Sequence, residues 1–220
     1  MTMERRNNYH AIIGRPEWVR ELLTKIEQAG TYTRGIETDK RGYGFAINVS
    51  VYGYDEIQRL VVMQVRECHI TKYGNNVRKD YYLVGYNEQN NVFAHAIESP
   101  CRSPKIQNEL PEATIRHVLA GIWECEEHQL EHIIRQGDIA FIPATLPRNS
   151  VEIENQITLR DTHRITGKIF RAPNGKLYCE RASMKHTKGQ HVAVRVSGKY
   201  YRIQTGQRAE TWGFSAPTKD

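Results

Sequence analysis

The segment Lys176–Gln204, KLYCERASMKHTKGQHVAVRVSGKYYRIQ, decides the fold. Within it the blocks KLYCER, HVAVRV and KYYRIQ follow one another at short intervals, rich in the β-branched and aromatic residues that suit a pleated surface. Asn174-Gly175 precedes the first block and Ser197-Gly198 separates the last two, both turn signals. A two-residue hairpin at Ser197-Gly198 sets Val196 against Lys199, Val194 against Tyr201 and Val192 against Ile203, on one mostly apolar face. Alternation then sends His191, Arg195, Tyr200 and Arg202 to the opposite face.

The pattern continues outward on the N-terminal side. IAFIPA (139–144) reads as a buried strand, SVEIENQITL (150–159) alternates with Val151, Ile153 and Ile157 inward, and KIF (168–170) adds a further strand. Before these, Glu112–Gln136 carries the apolar stripe of a helix: Ile115, Val118, Leu119, Ile122, Trp123, Leu130, Ile133 and Ile134, with Gly137 placed to end it. Ser99–Pro111 holds three prolines and little apolar content, and reads as a linker or crossover.

The first half repeats the order. A tail or short strand (1–14) leads to an amphipathic helix over 16–30, with Trp18, Leu22, Leu23 and Ile26 on one side. Residues 31–42 read as a loop. Tyr43–Tyr52 alternates, with Phe45, Ile47, Val49 and Val51 on one face. Arg59–Tyr73, Asp80–Tyr86 and Val92–Ile97 are further strands, with Gly74-Asn75-Asn76 as a turn. The expected fold is therefore α+β: two amphipathic helices packed on largely antiparallel sheets, with a β-rich C-terminal half. The expected regions are 1–98 and 112–220, either as separate domains or as one compact domain.

Charge singles out the C-terminal sheet. The net charge of the 220-residue chain is +6. From Asp161 onward there are 12 Lys+Arg against 4 Asp+Glu, whereas the first 160 residues hold the remaining 19 and 21. A basic region beside a near-neutral one points to a polyanion, with a solvated basic surface as the plain alternative. Arg195, Tyr200 and Arg202, extended by Arg181, Lys185 and Lys188, supply guanidinium and ammonium groups for phosphates and a ring for a base. DNA and RNA are not distinguished at this level.

Other residue sets suggest other chemistry. His163, His186 and His191 supply the acid and base types of metal-free phosphodiester cleavage. With Cys179 they also supply zinc-ligand types, without a recognised spacing. His128-Gln129-Leu130-Glu131-His132 matches the H-x-x-E-H pattern of inverzincin peptidases. On a helix His128 and His132 share a face with Cys125, so Zn²⁺ is the candidate metal, and a solvent-facing helix surface is the alternative. A non-enzymatic module that binds a protein partner is a third reading. No phosphate-binding glycine loop, Rossmann fingerprint or nucleophile elbow is present. Four scattered cysteines and a polar start without an apolar core suggest a reducing, cytoplasmic setting, and no apolar run suggests a membrane partner.

Overall fold

Helix α1 spans Glu17–Ala29, and its stripe Val19, Leu22, Leu23 and Ile26 is buried. The computed structural model describes residues 15–29, 35–86, 90–100, 110–189 and 192–206. The described residues form two units, one through Val118 and one from Leu119 onward. The first is a five-stranded antiparallel meander, in order β1 (Gly35–Thr38), β2 (Gly44–Asp55), β3 (Leu60–Thr71), β4 (Gly74–Tyr86) and β5 (Val92–Ile97).

Alternation decides which face of this meander is apolar. Ile47, Val49 and Val51 of β2 join Val61, Met63 and Val65 of β3 and Tyr82 and Val84 of β4 beneath the α1 stripe. Fully burying each such aliphatic side chain contributes about 1.5–3 kcal/mol. On the other face Gly53 makes room for helix α2 (Pro111–Trp123). A Cβ at Gly53 would overlap the carbonyl oxygen of Pro111 and stand 2.7 Å from Thr114 Cβ.

Two expectations change in this unit. Residues 35–38 lie in the segment read as a loop, yet they pair with Gly44–Ile47. Gly74-Asn75-Asn76, read as a turn, belongs to β4, where these residues oppose Thr71, Ile70 and His69. The turn itself is Lys72-Tyr73.

Helix α2 stops at Trp123, well short of the expected Gln136. The Cys125 amide donates to Ala120 O at 2.9 Å and the Glu124 amide to Gly121 O at 3.1 Å, with Glu124 at φ 49°. This pair of bonds is the Schellman stop, with a glutamate where glycine is usual. Residues Glu127–His132 then form a 3-10 helix.

The second unit follows with β6 (Ile134–Gln136), β7 (Ile139–Pro143), β8 (Val151–Glu152), β9 (Gln156–Leu159), β10 (His163–Arg171), β11 (Leu177–His186), β12 (Val194–Arg195) and β13 (Tyr200–Thr205). The antiparallel order is β6-β7-β13-β11-β10-β8, with β9 paired to β10 and β12 to β11. The inner face packs Ile139, Phe141, Ile165, Ile169, Cys179, Ala182, Met184, Val196 and Ile203. Ile153 and Ile157 join it, whereas Val151 is 64% exposed, against the expected inward position. The sheet curls around this core until Gln136 Nε2 of β6 donates to Val192 O, before β12, at 2.7 Å. On the outer face Trp123, with Leu119, Ile122, Leu130 and Ile133, covers Ala140 and Ile142 of β7. Among the described residues no helix is long and apolar enough to cross a membrane.

Candidate nucleic-acid interface

The expected Ser197-Gly198 hairpin does not form. Strand β12 pairs with β11 at Ser183 and Met184, and β13 pairs with β11 at Leu177–Glu180 and with β7 on its other side. The two halves of β11 thus each take one partner, and long-range pairing overrides a local turn signal.

This register redraws the basic face. Directly opposed residues of antiparallel strands share a face. Arg164 opposes Lys185 and Thr158, and Thr166 opposes Ser183 and Gln156. Ser183 in turn opposes Arg195. Lys168 opposes Glu180, which opposes Tyr200, and Phe170 opposes Tyr178, which opposes Arg202. All of these occupy the outer face, because their strand neighbours Ile165, Ile169, Cys179 and Met184 are in the inner core.

A bulge keeps the two ends of the face aligned. Between the pairs Thr166–Ser183 and Lys168–Glu180, β10 has Gly167 alone and β11 has both Arg181 and Ala182. The extra residue turns both Glu180 and Ser183 outward although they are three apart in sequence. Gly167 lies at φ 142°, and a Cβ there would stand 2.7 Å from Ala182 Cα, so the bulge requires glycine.

The outer face carries Arg164, Lys168, Lys185 and Arg195, all exposed, around half-buried Thr166 and Ser183. The two hydroxyls bond each other at 2.8 Å. Phe170 and Tyr200 are half-buried and meet edge-on, with centroids 5.8 Å apart. Glu180 sits between Lys168 Nζ at 4.0 Å and Arg181 Nε at 3.7 Å. Arg181 is exposed at the bulge, and Lys188 is exposed in the turn after β11. Arg164, adjacent to the pair Thr158 and Lys185, was not singled out from sequence; the signal was its i, i+2, i+4 relation to Thr166 and Lys168.

Arg202, expected among the exposed cations, is only 8% exposed. Its Nη2 donates to Glu124 O at 2.6 Å and Trp123 O at 3.2 Å, and its Nη1 donates to Gln204 Oε1. It is therefore a cap on the carbonyl end of α2, where the helix dipole favours a cation. Glu124 completes this corner, 3.0 Å from Lys176 Nζ and 3.6 Å from Arg202 Nη1. The Lys176 hydrogen bond holds the Glu124 carboxyl below its usual range against a smaller opposing effect of burial.

The histidines converge, but inward. His163 opposes His186 across β10 and β11, and the rings meet edge-on with centroids 4.9 Å apart. They are 3% and 6% exposed. His163 Nδ1 is 3.0 Å from Thr162 Oγ1 and 3.9 Å from Asp138 Oδ1, and Asp138 is bound by Arg160 at 2.7 Å. His191 lies outside the described residues. Cys179 is fully buried in the inner core, and burial pushes its thiol up to about 12.

His128 and His132 lie on the 3-10 helix, not on an α-helix. At three residues per turn, positions i and i+4 do not share a face, so the argument for a joint His128–His132 site does not apply. Cys125 is half-buried beside the Trp123 cluster, and burial raises its thiol. Among the described residues no group of three or more His, Cys, Asp or Glu stands ready to hold a metal.

Fold and surface together define an α+β protein of two units, the second a curled antiparallel sheet with a basic, aromatic-bearing outer face. No protein-family model, curated protein or solved structure matches the chain.

Proposed function

We propose that the protein binds nucleic acid on the outer face of the C-terminal sheet. The observation that supports this reading is that Arg164, Lys168, Lys185 and Arg195 share one face with Phe170 and Tyr200. Exposed guanidinium and ammonium groups neutralise phosphates and release counterions, and aromatic rings offer surfaces for bases. The histidine pair supports phosphodiester chemistry less well, because its rings face the core while the cations face solvent. The exposed apolar side chains Ile57, Tyr73 and Val192 sit singly on separate segments and make a weak case for a protein partner.

Equilibrium binding of labelled oligonucleotides at 50–200 mM salt tests the proposal. Affinity falls as salt rises, with a log–log slope of about 0.7–0.9 per phosphate contacted. The double variant Arg164→Gln/Lys185→Gln lowers that slope by about 1.5–2. Affinity that ignores salt, or a slope unchanged in the variant, refutes it.

A further inference from the structure

We infer that the ligand of this face is a single-stranded nucleic acid, with one or two unstacked bases on Phe170 and Tyr200 and the sugar–phosphate chain running toward Arg164 and Lys185. The inference rests on the nucleic-acid reading above and adds the strandedness of the ligand.

Three features carry it. The first is width. The cations lie on β10, β11 and β12, and β9 beside them adds Thr158 and Gln156 to the same face, so the face spans four strands side by side. Three interstrand spacings make this about 14 Å of sheet before side chains are added. The major groove of B-DNA is about 12 Å wide and the minor about 6 Å, so this face enters neither. A duplex would meet the cations through its backbone alone and leave both rings unused.

The second feature is curvature. The sheet curls around its inner core, with β6 reaching the segment before β12 through Gln136. The outer surface is therefore convex, which suits a flexible strand laid across it better than a rigid rod cupped within it.

The third is polarity along the strands. On β10 the outward residues run Phe170, Lys168, Thr166, Arg164. Successive outward positions are about 6.7 Å apart, so the ring and the last guanidinium are separated by about 20 Å. Aromatic surface lies at one end, paired by Tyr200, and the cations Arg164, Lys185 and Arg195 cluster toward the other. Between them Glu180 offers a carboxylate acceptor for an exocyclic amine and the Thr166–Ser183 pair offers hydroxyls. A strand with splayed bases uses every one of these groups.

Fluorescence anisotropy separates the outcomes. The probes are fluorescein-labelled 15-nucleotide single strands, as RNA and as DNA, and a hairpin duplex of the same sequence. At about 150 mM salt the single strand, in at least one sugar form, binds about tenfold or more tighter than the duplex. The double variant Phe170→Leu/Tyr200→Leu keeps apolar volume but removes both π faces. It weakens single-strand binding about five- to tenfold and leaves duplex binding within about twofold. Equal or tighter duplex binding, or a double variant that still binds single strands as well as the parent, overturns the single-strand inference while the salt-dependent nucleic-acid reading stands. Absence of binding to every probe overturns both. A circular dichroism melt confirms that the variant is folded, and if it is not, Tyr200→Phe/Phe170→Leu takes its place under the same criterion with one ring retained, for which the expected loss is about threefold.

Discussion

Replacing Arg202 by methionine separates a structural role from a binding one. The substitution keeps an unbranched side chain of similar reach but removes the donors that serve Trp123 O and Glu124 O. A hydrogen bond from a charged group contributes about 1.5–3 kcal/mol, and a buried acceptor left without its donor costs about 1–3 kcal/mol. The Trp123 bond is buried, whereas the Glu124 carbonyl is only partly so and recovers water. Relief from burying the guanidinium offsets part of the loss, leaving a net destabilisation of about 2–3 kcal/mol. In a unit of this size each kcal/mol moves Tm by about 4–8 °C, so the expected fall is about 8–24 °C by differential scanning calorimetry. Oligonucleotide affinity, measured well below the melting range, stays within about twofold of the parent because Arg202 is not on the exposed surface. A variant that melts within about 2 °C of the parent (the ~0.5 kcal/mol level of a neutral surface change) and has lost affinity would refute this, and would return Arg202 to the interface.

The neighbouring carboxylate predicts a pH effect. Glu124 is held below its ordinary value chiefly by the Lys176 hydrogen bond, so its contribution is fully present above about 4.5 and is lost as pH falls through the depressed folded value. The Tm gap between parent and Glu124→Gln therefore narrows on titrating from pH 6 into the acid range, and a gap that widens contradicts the assignment. Gly53→Ala introduces a Cβ that meets Pro111 O and Thr114 Cβ, and overpacking of this kind costs about 1–3 kcal/mol, more than the chain-entropy gain of about 0.4–1 kcal/mol. Urea titration measures it, and a neutral or stabilised variant shows that the first turn of α2 does not sit on β2 as described.

Where local pattern and tertiary pairing agree, the sequence was enough. The α1 stripe and the alternation of β2 both predicted their buried faces, because each element buries one side against one partner. The end of α2 was hidden for a specific reason. Leu130 and Ile133 continue the apolar stripe past Trp123, and the residue in the left-handed conformation is Glu124, which carries no stop signal. The pairing of β12 and β13 was hidden because Ser197-Gly198 resembles a hairpin turn, while the partner that wins lies in β11. Both registers send Arg202 to the outer face, where the end of α2 covers it, and Arg164 joins that face through the β10–β11 register. Arg195 and Tyr200 keep a common face because both registers send them outward, and β11 brings Lys185 onto that face. The histidine convergence depends on the β10–β11 register, which short blocks such as KIF do not fix.

The position of β13 also sets the order in which this unit assembles. Strands β9, β10 and β11 are joined by short local turns and close early, since small loops lose little chain entropy. Strand β7 has no such neighbour on the core side. Its partner is β13, some sixty residues further along the chain, so Ile139, Phe141 and Ile142 remain an unpaired apolar edge until that strand arrives. Topology therefore predicts that the insertion of β13 between β7 and β11 is the slowest and most aggregation-exposed step in folding, and it is the same step that draws Arg202 onto the end of α2.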